Sequence, residues 1–344
     1  MLHETKLSPD RILQVGLGFW ASKTLLSAVE LRVFATLADG PRSGLELREL
    51  LQLHPRAAAD FLDALVALGF LERTGSGADS LYENTPETSA FLDPAKPTYV
   101  GGILEMANAR LYPFWADLSE GLRTGRPQNE FKSSGRKIWE ELYADPARLE
   151  QFAKAMAGIQ AGNFLKLAEV FDFSRYEHVC DVGGSTGALA IAIAHRHPEV
   201  TCTTYDLPAI EPIARATVEA AGLAERIRIA SGDFNDEPLP RAHVITLGNV
   251  LHDMSEERKR ALIGKAYEAL PDDGVLIAIE SVIDDERRHN AFGLLMSLNM
   301  LIETEAGSDY TGAQFDRWCR DAGFARTEII PLAGPASAAV AYKS

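Results

Sequence analysis

Two patterns of apolar and polar positions follow one another along the 344 residues. From about residue 10 to 92, apolar residues recur at helical spacing in "KTLLSAVELRVFATLA", in "GLELRELL" and in "RAAADFLDALVALG". After Gly69, "FLERTGSGADSLYENT" reads as two short extended pieces around a Gly/Ser turn, a hairpin. Three helices and a hairpin are the order of a winged helix. Its third helix carries one arginine, no lysine and two aspartates, a poor footprint for DNA, and its apolar positions nearly encircle it. Burial against a partner chain is the expectation. "DPAKPTYVGG" then has the composition of a connection, and residues 103–170 read as helices without strands.

From residue 178 onward the period changes. "HVCDV", "VTCTTYD", "RIRIAS", "HVITLGNV" and "GVLIAIES" are strand-like runs with helical segments between most of them, and "RTEIIPL" and "ASAAVAYK" close the chain. Such alternation predicts a parallel, doubly wound α/β sheet, whose ligands bind at the carboxyl ends of the strands. The expected domains are therefore 1–102, a helical connector 103–170 that contributes to a pocket, and 171–344.

Composition narrows the partners. A formal net charge of −15 repels polyphosphate and anionic lipid, so neither nucleic acid nor membrane is expected. Cys180, Cys202 and Cys319 show no C-x-x-C spacing, which fits a reducing cytoplasm. The start "MLHETKLSPDRILQ" has no signal-peptide core, and no run approaches the length of a membrane span.

The strand ends carry the chemistry. "DVGGSTG" has Gly183, Gly184 and Gly187 but Val182 in place of the first glycine of a dinucleotide fingerprint, and no Lys-Ser/Thr pair follows to make a P-loop. Asp181 would oppose a pyrophosphate and favour an ammonium. S-adenosylmethionine carries an ammonium and a sulfonium and no phosphate; a purely structural turn is the alternative. Asp206, 25 positions after Asp181, can accept from two ribose hydroxyls, although many strands end in a capping Asp. Asp233 can accept from an adenine amine, and Phe234 can lie on the ring. His252, in "GNVLHDMSEE", suits proton removal from a phenol, or makes only a structural hydrogen bond. Gly248 and Asn249, just before it, are grouped with the cofactor. Met106, Phe114, Trp115, Phe152, Met156 and Phe164 could wall a pocket or simply fill a core.

"DVGGSTG", "YDLP", "GDF" and "NVLHDMS", in that order and spacing, resemble the two-domain S-adenosylmethionine-dependent O-methyltransferases, the family of plant caffeate, acetylserotonin and bacterial antibiotic-tailoring enzymes. The resemblance covers nearly the whole chain. It implies a Rossmann-like class I methyltransferase domain with a seven-stranded, mostly parallel sheet, and an N-terminal all-helical winged-helix dimerisation domain. It further implies a homodimer, a small aromatic substrate, and S-adenosylhomocysteine as product. Residue by residue, the glycines would hold the methionine end, Asp206 the ribose, and Leu207, Asp233 and Phe234 the adenine. His252 would be the general base, flanked by Glu280 and Asp309. Asn299, Met300 and Glu303 are further pocket candidates. Three positions depart from the plant pattern: Gly248 replaces a lysine, Met254 an aromatic residue, and Asp309 the longer Glu. The alternatives are a metal set of His252, Asp253 and either His289 or Glu305 acting on 2-oxo acids, and a cofactor-sensing regulator without catalysis.

Overall fold

The computed structural model describes residues 7–77, 80–135 and 142–344. The chain divides into two compact units, Met1–Tyr112 and Pro113–Ser344.

In the first unit, helices Asp10–Gly16, Gly18–Glu30, Val33–Thr36, Gly44–Leu50 and Pro55–Ala67 precede an antiparallel hairpin of β2 (Leu71–Thr74) and β3 (Leu81–Asn84). The two-residue β1 (Arg42–Ser43) pairs with the far side of β3. Ser43 starts its helix with a reciprocal cap: its Oγ accepts from the Glu46 N–H, and Glu46 Oε2 accepts from the Ser43 N–H at 2.8 Å. The run "KTLLSAVELRVFATLA" is one periodic stretch in sequence but two helices in the structure. Arg32 adopts φ 60°, and this left-handed residue turns Val33 and Phe34 into the core with Leu47, Leu62, Leu65 and Leu71. The Pro55–Ala67 helix buries Ala58, Leu62 and Leu65 within its own unit and leaves Ala57, Ala59 and Ala67 exposed. The most exposed of the large apolar residues in this unit's helices lie at the start, where Ile12 and Val15 are each 75% exposed and Trp20 62%.

That start also corrects the expectation about membrane-length runs. Asp10–Glu30 is long and apolar enough to span a bilayer by length and composition alone, with a mean hydropathy of 1.3. It is two helices broken at Leu17 and carries Asp10, Arg11, Lys23 and Glu30.

In the second unit, β4 (His178–Val182), β5 (Thr201–Asp206), β6 (Ile227–Ser231), β7 (Val244–Gly248), β8 (Val275–Glu280), β9 (Arg326–Pro331) and β10 (Ser337–Tyr342) form one sheet in the order β6-β5-β4-β7-β8-β10-β9. The first five are mutually parallel; β10 runs antiparallel to β8 and to β9. Alternation along the strands feeds two cores. Cys180, Val182, Ile245, Leu247, Leu276 and Ala278 face one side, with Leu262, Ile263, Phe315 and Trp318 from helices Glu256–Ala269 and Gly312–Ala322. Val179, Val244, Val275, Ile277 and Ile279 face the other, with Leu167 and Ile193 from helices Pro146–Val170 and Ala188–Arg196. Both faces being covered explains why the parallel strands read as nearly unbroken apolar runs. From β4 the chain winds outward to β6, then crosses back to β7 on the other side. The topological switch point therefore lies between β4 and β7, at the carboxyl ends of both.

Candidate active site

The five parallel strands deliver one chemically distinct group each to that edge. β4 ends in the glycine turn. Gly183 has φ +71°, and a Cβ there would sit 2.7 Å from Val250 Cγ2; a Cβ on Gly184 would collide with the Thr204 hydroxyl. Gly187 and Ser185 are also left-handed, at φ +79° and 47°. The turn thus lies close against its surroundings in a shape that side chains would obstruct. Beneath it Asp181 is buried, and its Oδ1 accepts from Thr246 Oγ at 2.7 Å. Burial raises this carboxyl to about 7, against the Thr246 hydrogen bond and with help from Asp206. A carboxyl held in that state is neutralised by a proton or by an arriving cation.

Asp206, half-buried at the end of β5, accepts from the Ser185 N–H (2.9 Å) and the Leu207 N–H (2.7 Å). Burial raises its proton affinity, and the two backbone donors offset part of that. Leu207 is half-buried beside it. A narrow crevice lined by Ser185, Asp206, Leu207, Ile210 and Ser231 lies at this place, too tight to hold a water molecule. Beyond β6, Asp233 accepts from the Asn235 backbone and side chain at 2.8 Å, and the half-buried Phe234 packs against the main core. At the end of β7, Asn249 is left-handed (φ 53°), and the Phe164 ring lies 3.7 Å from where a Gly248 Cβ would stand.

The acid–imidazole group occupies the β7 and β8 ends. Glu280, the last residue of β8, accepts from the Val250 and His252 N–H groups on Oε1, at 3.1 and 3.0 Å, and so fixes the short turn Leu251–Asp253. His252 is buried; its Nδ1 lies 3.6 Å from Asp309 Oδ1 and its Nε2 3.5 Å from Asp253 Oδ1. Both separations are ion-pair distances, longer than a hydrogen bond. Burial disfavours the imidazolium, but the carboxylates of Asp253, Asp309 and Glu280 outweigh it and raise His252 to about 9. Burial in turn raises Glu280 and Asp253, with His252 opposing. Asp309 is buried on the turn before the Gly312–Ala322 helix, where its N–H donates to Ser297 Oγ at 3.2 Å. Met254, in place of the aromatic residue, is buried in the core beside Val250 and Leu251.

The pocket candidates divide. Asn299, Met300 and Glu303 share the Ala291–Glu303 helix, and Trp115 Nε1 donates to Asn299 Oδ1 at 2.9 Å. Phe114 stands next to Trp115 on the same short helix, and Met156 is half-buried on Pro146–Val170. Phe152 packs with Leu149, Ile210 and Ala214 in a small core, the plainer of its two readings. Met106 belongs to the first unit, at the end of Gly101–Met106. The metal set is not assembled: among the described residues no three His, Cys, Asp or Glu side chains group as ligands, and His289 lies on an exposed loop tied to Asp284.

Several residues at this edge carry no mark in the sequence. Thr246 meets Asp181 only through the β4–β7 register. Burial and the carboxylates of Asp206, Asp233 and Asp253 raise the Tyr143 hydroxyl, which brings it to the same strand ends. Lys259 and Tyr310 lie beside Glu280 and Asp309.

A family model described as the O-methyltransferase domain matches residues 115–325, and one described as the O-methyltransferase dimerisation domain matches 13–94. The chain is 40% identical over 341 residues to the tetracenomycin polyketide synthesis 8-O-methyl transferase TcmO of Streptomyces glaucescens, covering 99% of this chain and 98% of that protein. It is 33% identical to the 3-hydroxy-5-methyl-1-naphthoate 3-O-methyltransferase of Streptomyces sahachiroi, over 95% of this chain and 92% of that one. Among solved structures, human N-acetylserotonin methyltransferase in complex with SAM superposes with a TM-score of 0.90 at 27% identity, over the full length of both chains.

Proposed function

The chain belongs to the O-methyltransferase family, and on that footing we propose that it methylates a hydroxyl of a small aromatic compound from S-adenosylmethionine, with His252 as general base. One observation carries the reading: five successive strand ends present, in order, groups matched to a cationic nucleoside cofactor and then a buried imidazole flanked by acids.

The residues fit the cofactor's chemistry. Asp181 lies buried beneath the glycine turn, a counter-charge suited to the ammonium. Asp206 keeps lone pairs for the ribose hydroxyls beyond its two backbone donors. Asp233, Phe234 and Leu207 serve the adenine, and Gly248 and Asn249 line the approach between them and His252. When bound, S-adenosylmethionine supplies a methyl group activated on a sulfonium.

The chain's own part is to hold the hydroxyl and take its proton. His252 with Nδ1–H toward Asp309 leaves the Nε2 lone pair as acceptor. The imidazolium that forms is stabilised by Asp309, Glu280 and Asp253, the same carboxylates that raise its proton affinity. Trp115, Asn299 and Met300 are proposed to orient the ring, alongside Phe114, Met156 and Glu303. Positioning of oxygen toward the methyl would supply much of the acceleration. The relatives act on a polyketide and a naphthoate, by their names, which favours a fused hydroxylated aromatic here. The first unit, with exposed Ile12, Val15, Phe19 and Trp20, is proposed as the face of a homodimer.

The test is turnover with S-adenosylmethionine across hydroxylated naphthoates, anthraquinones and 2-oxo acids, read by product mass and S-adenosylhomocysteine release. Methylation of a ring hydroxyl supports the reading. Methylation confined to 2-oxo acids, or cofactor binding without turnover on the whole panel, contradicts it.

A further inference from the structure

A buried cation stands behind the acids. Lys259 lies on the first turn of the Glu256–Ala269 helix and is only 1% exposed, on the face that also buries Leu262, Ile263 and Ala266. Its Nζ donates to the Ser308 carbonyl at 2.5 Å and approaches Ser308 Oγ at 3.1 Å, and it lies 5.6 Å and 5.7 Å from the Tyr310 and Trp318 ring centres. An ammonium is expensive to bury without such partners. Ser308 sits between Gly307 and Asp309. On its one side the turn is pressed against the base, since a Cβ on Gly307 would lie 2.6 Å from the His252 carbonyl oxygen. On its other side it carries the carboxylate that faces His252 Nδ1.

We propose that Lys259 is a positioning residue for the reaction: its ammonium ties down the Gly307–Tyr310 turn, sets Asp309 opposite His252, and places a positive charge on the far side of the acids that face the imidazole. The charged and titratable groups around it are Glu280 at the end of β8, Asp309 and Tyr310 on the turn, Glu256 on its own helix and Asp253 just before that helix. Burial lowers the proton affinity of Lys259, and these carboxylates oppose that. Removing the cation leaves His252 facing the acids alone, so the imidazole holds its proton to higher pH.

The proposal rests on His252 as the base, and the pH–rate profile separates the two. In wild type, kcat should rise along a limb set by loss of the His252 proton. In Lys259→Met, which keeps the aliphatic stem, that limb should move up by about one pH unit, with a roughly ten-fold loss at neutral pH that is largely regained in alkali. Lys259→Arg, which keeps the charge, should leave the limb near its wild-type position. A limb unmoved in folded Lys259→Met overturns the role of Lys259 and leaves the base intact; a wild type without an ascending limb removes the base itself. Should Lys259→Met not fold, the 15N resonance of the Lys259 ammonium in wild type, recognised by slow solvent exchange, takes its place. Coupling between two titrating sites is reciprocal, so that resonance must shift as His252 titrates, and an unresponsive one overturns the proposal.

Discussion

His252 and Asp309 face each other across 3.6 Å between Nδ1 and Oδ1, close enough for charge to act and too far for a hydrogen bond. The Asp309 carboxylate is buried with no hydrogen-bond partner on either oxygen. Its contribution to His252 is therefore mainly electrostatic. Asp309→Asn should lower the plateau kcat ten- to a hundred-fold. It should also move the ascending limb of the pH profile down, because one of the carboxylates that raise His252 is lost. The opposite sign from Lys259→Met makes the two variants an internal control. A downward shift without any loss of rate would make Asp309 a spectator of orientation.

Asp181 predicts a conflict between stability and binding. Its folded proton affinity is raised from 3.8 to about 7, so protonation favours the folded state and stability is lost as pH rises between those values. Asp181→Asn removes that loss while keeping an acceptor for Thr246. At pH 8 the cofactor-free variant should be more stable by about 1–3 kcal/mol. Its affinity for S-adenosylmethionine should fall at least ten-fold, because the ammonium loses its counter-charge. Urea unfolding at pH 4 and 8, with calorimetric titration, checks both; a variant that binds normally removes Asp181 from the cofactor site.

Gly183→Ala should damage the same site by shape. The position has φ +71°, and the added methyl meets Val250 Cγ2 at 2.7 Å. A destabilisation of about 1–3 kcal/mol is expected. Cofactor affinity should weaken more than stability alone explains, because the turn itself must shift. Thermal unfolding with and without cofactor measures this: the stabilisation by cofactor should shrink. An undiminished shift would show that the turn binds nothing.

Trp115 and Asn299 are linked by a 2.9 Å hydrogen bond that pins the amide on the Ala291–Glu303 helix. A double-mutant cycle of Trp115→Phe and Asn299→Ala on kcat/KM should return a coupling of about 1 kcal/mol, expressed in KM for the aromatic substrate with cofactor affinity unchanged. Additive effects would place the pair outside the pocket.

Much of this was legible in the residues because α/β sheets place function at strand ends, and strand ends can be found from a period. The runs ending at Val182, Asp206, Ser231, Gly248 and Glu280 are strands within a residue or two of their expected limits. The partners across the sheet were not legible. Thr246 reads as an ordinary core threonine until the parallel register sets it beside Asp181. Lys259 reads as one charge in the solvated run "SEERKR", yet its position on the helix turns it inward. The break at Arg32 was hidden because a left-handed residue in a periodic stretch leaves the period on either side intact. The length of the apolar stretch Asp10–Glu30 was also missed, because Asp10, Arg11, Lys23 and Glu30 break it up in the sequence.

The most direct test of the account is His252→Ala, assayed for methyl transfer to the best aromatic hydroxyl substrate alongside calorimetric binding of S-adenosylmethionine. Removing the imidazole also takes the ion-pair partner from Asp253 and Asp309, so thermal unfolding accompanies the assay and the binding measurement shows that the cofactor site is intact. Wild-type affinity for the cofactor with kcat reduced at least a hundred-fold is the predicted result. Turnover at the wild-type rate in a variant that binds cofactor normally would contradict it and make His252 a structural residue.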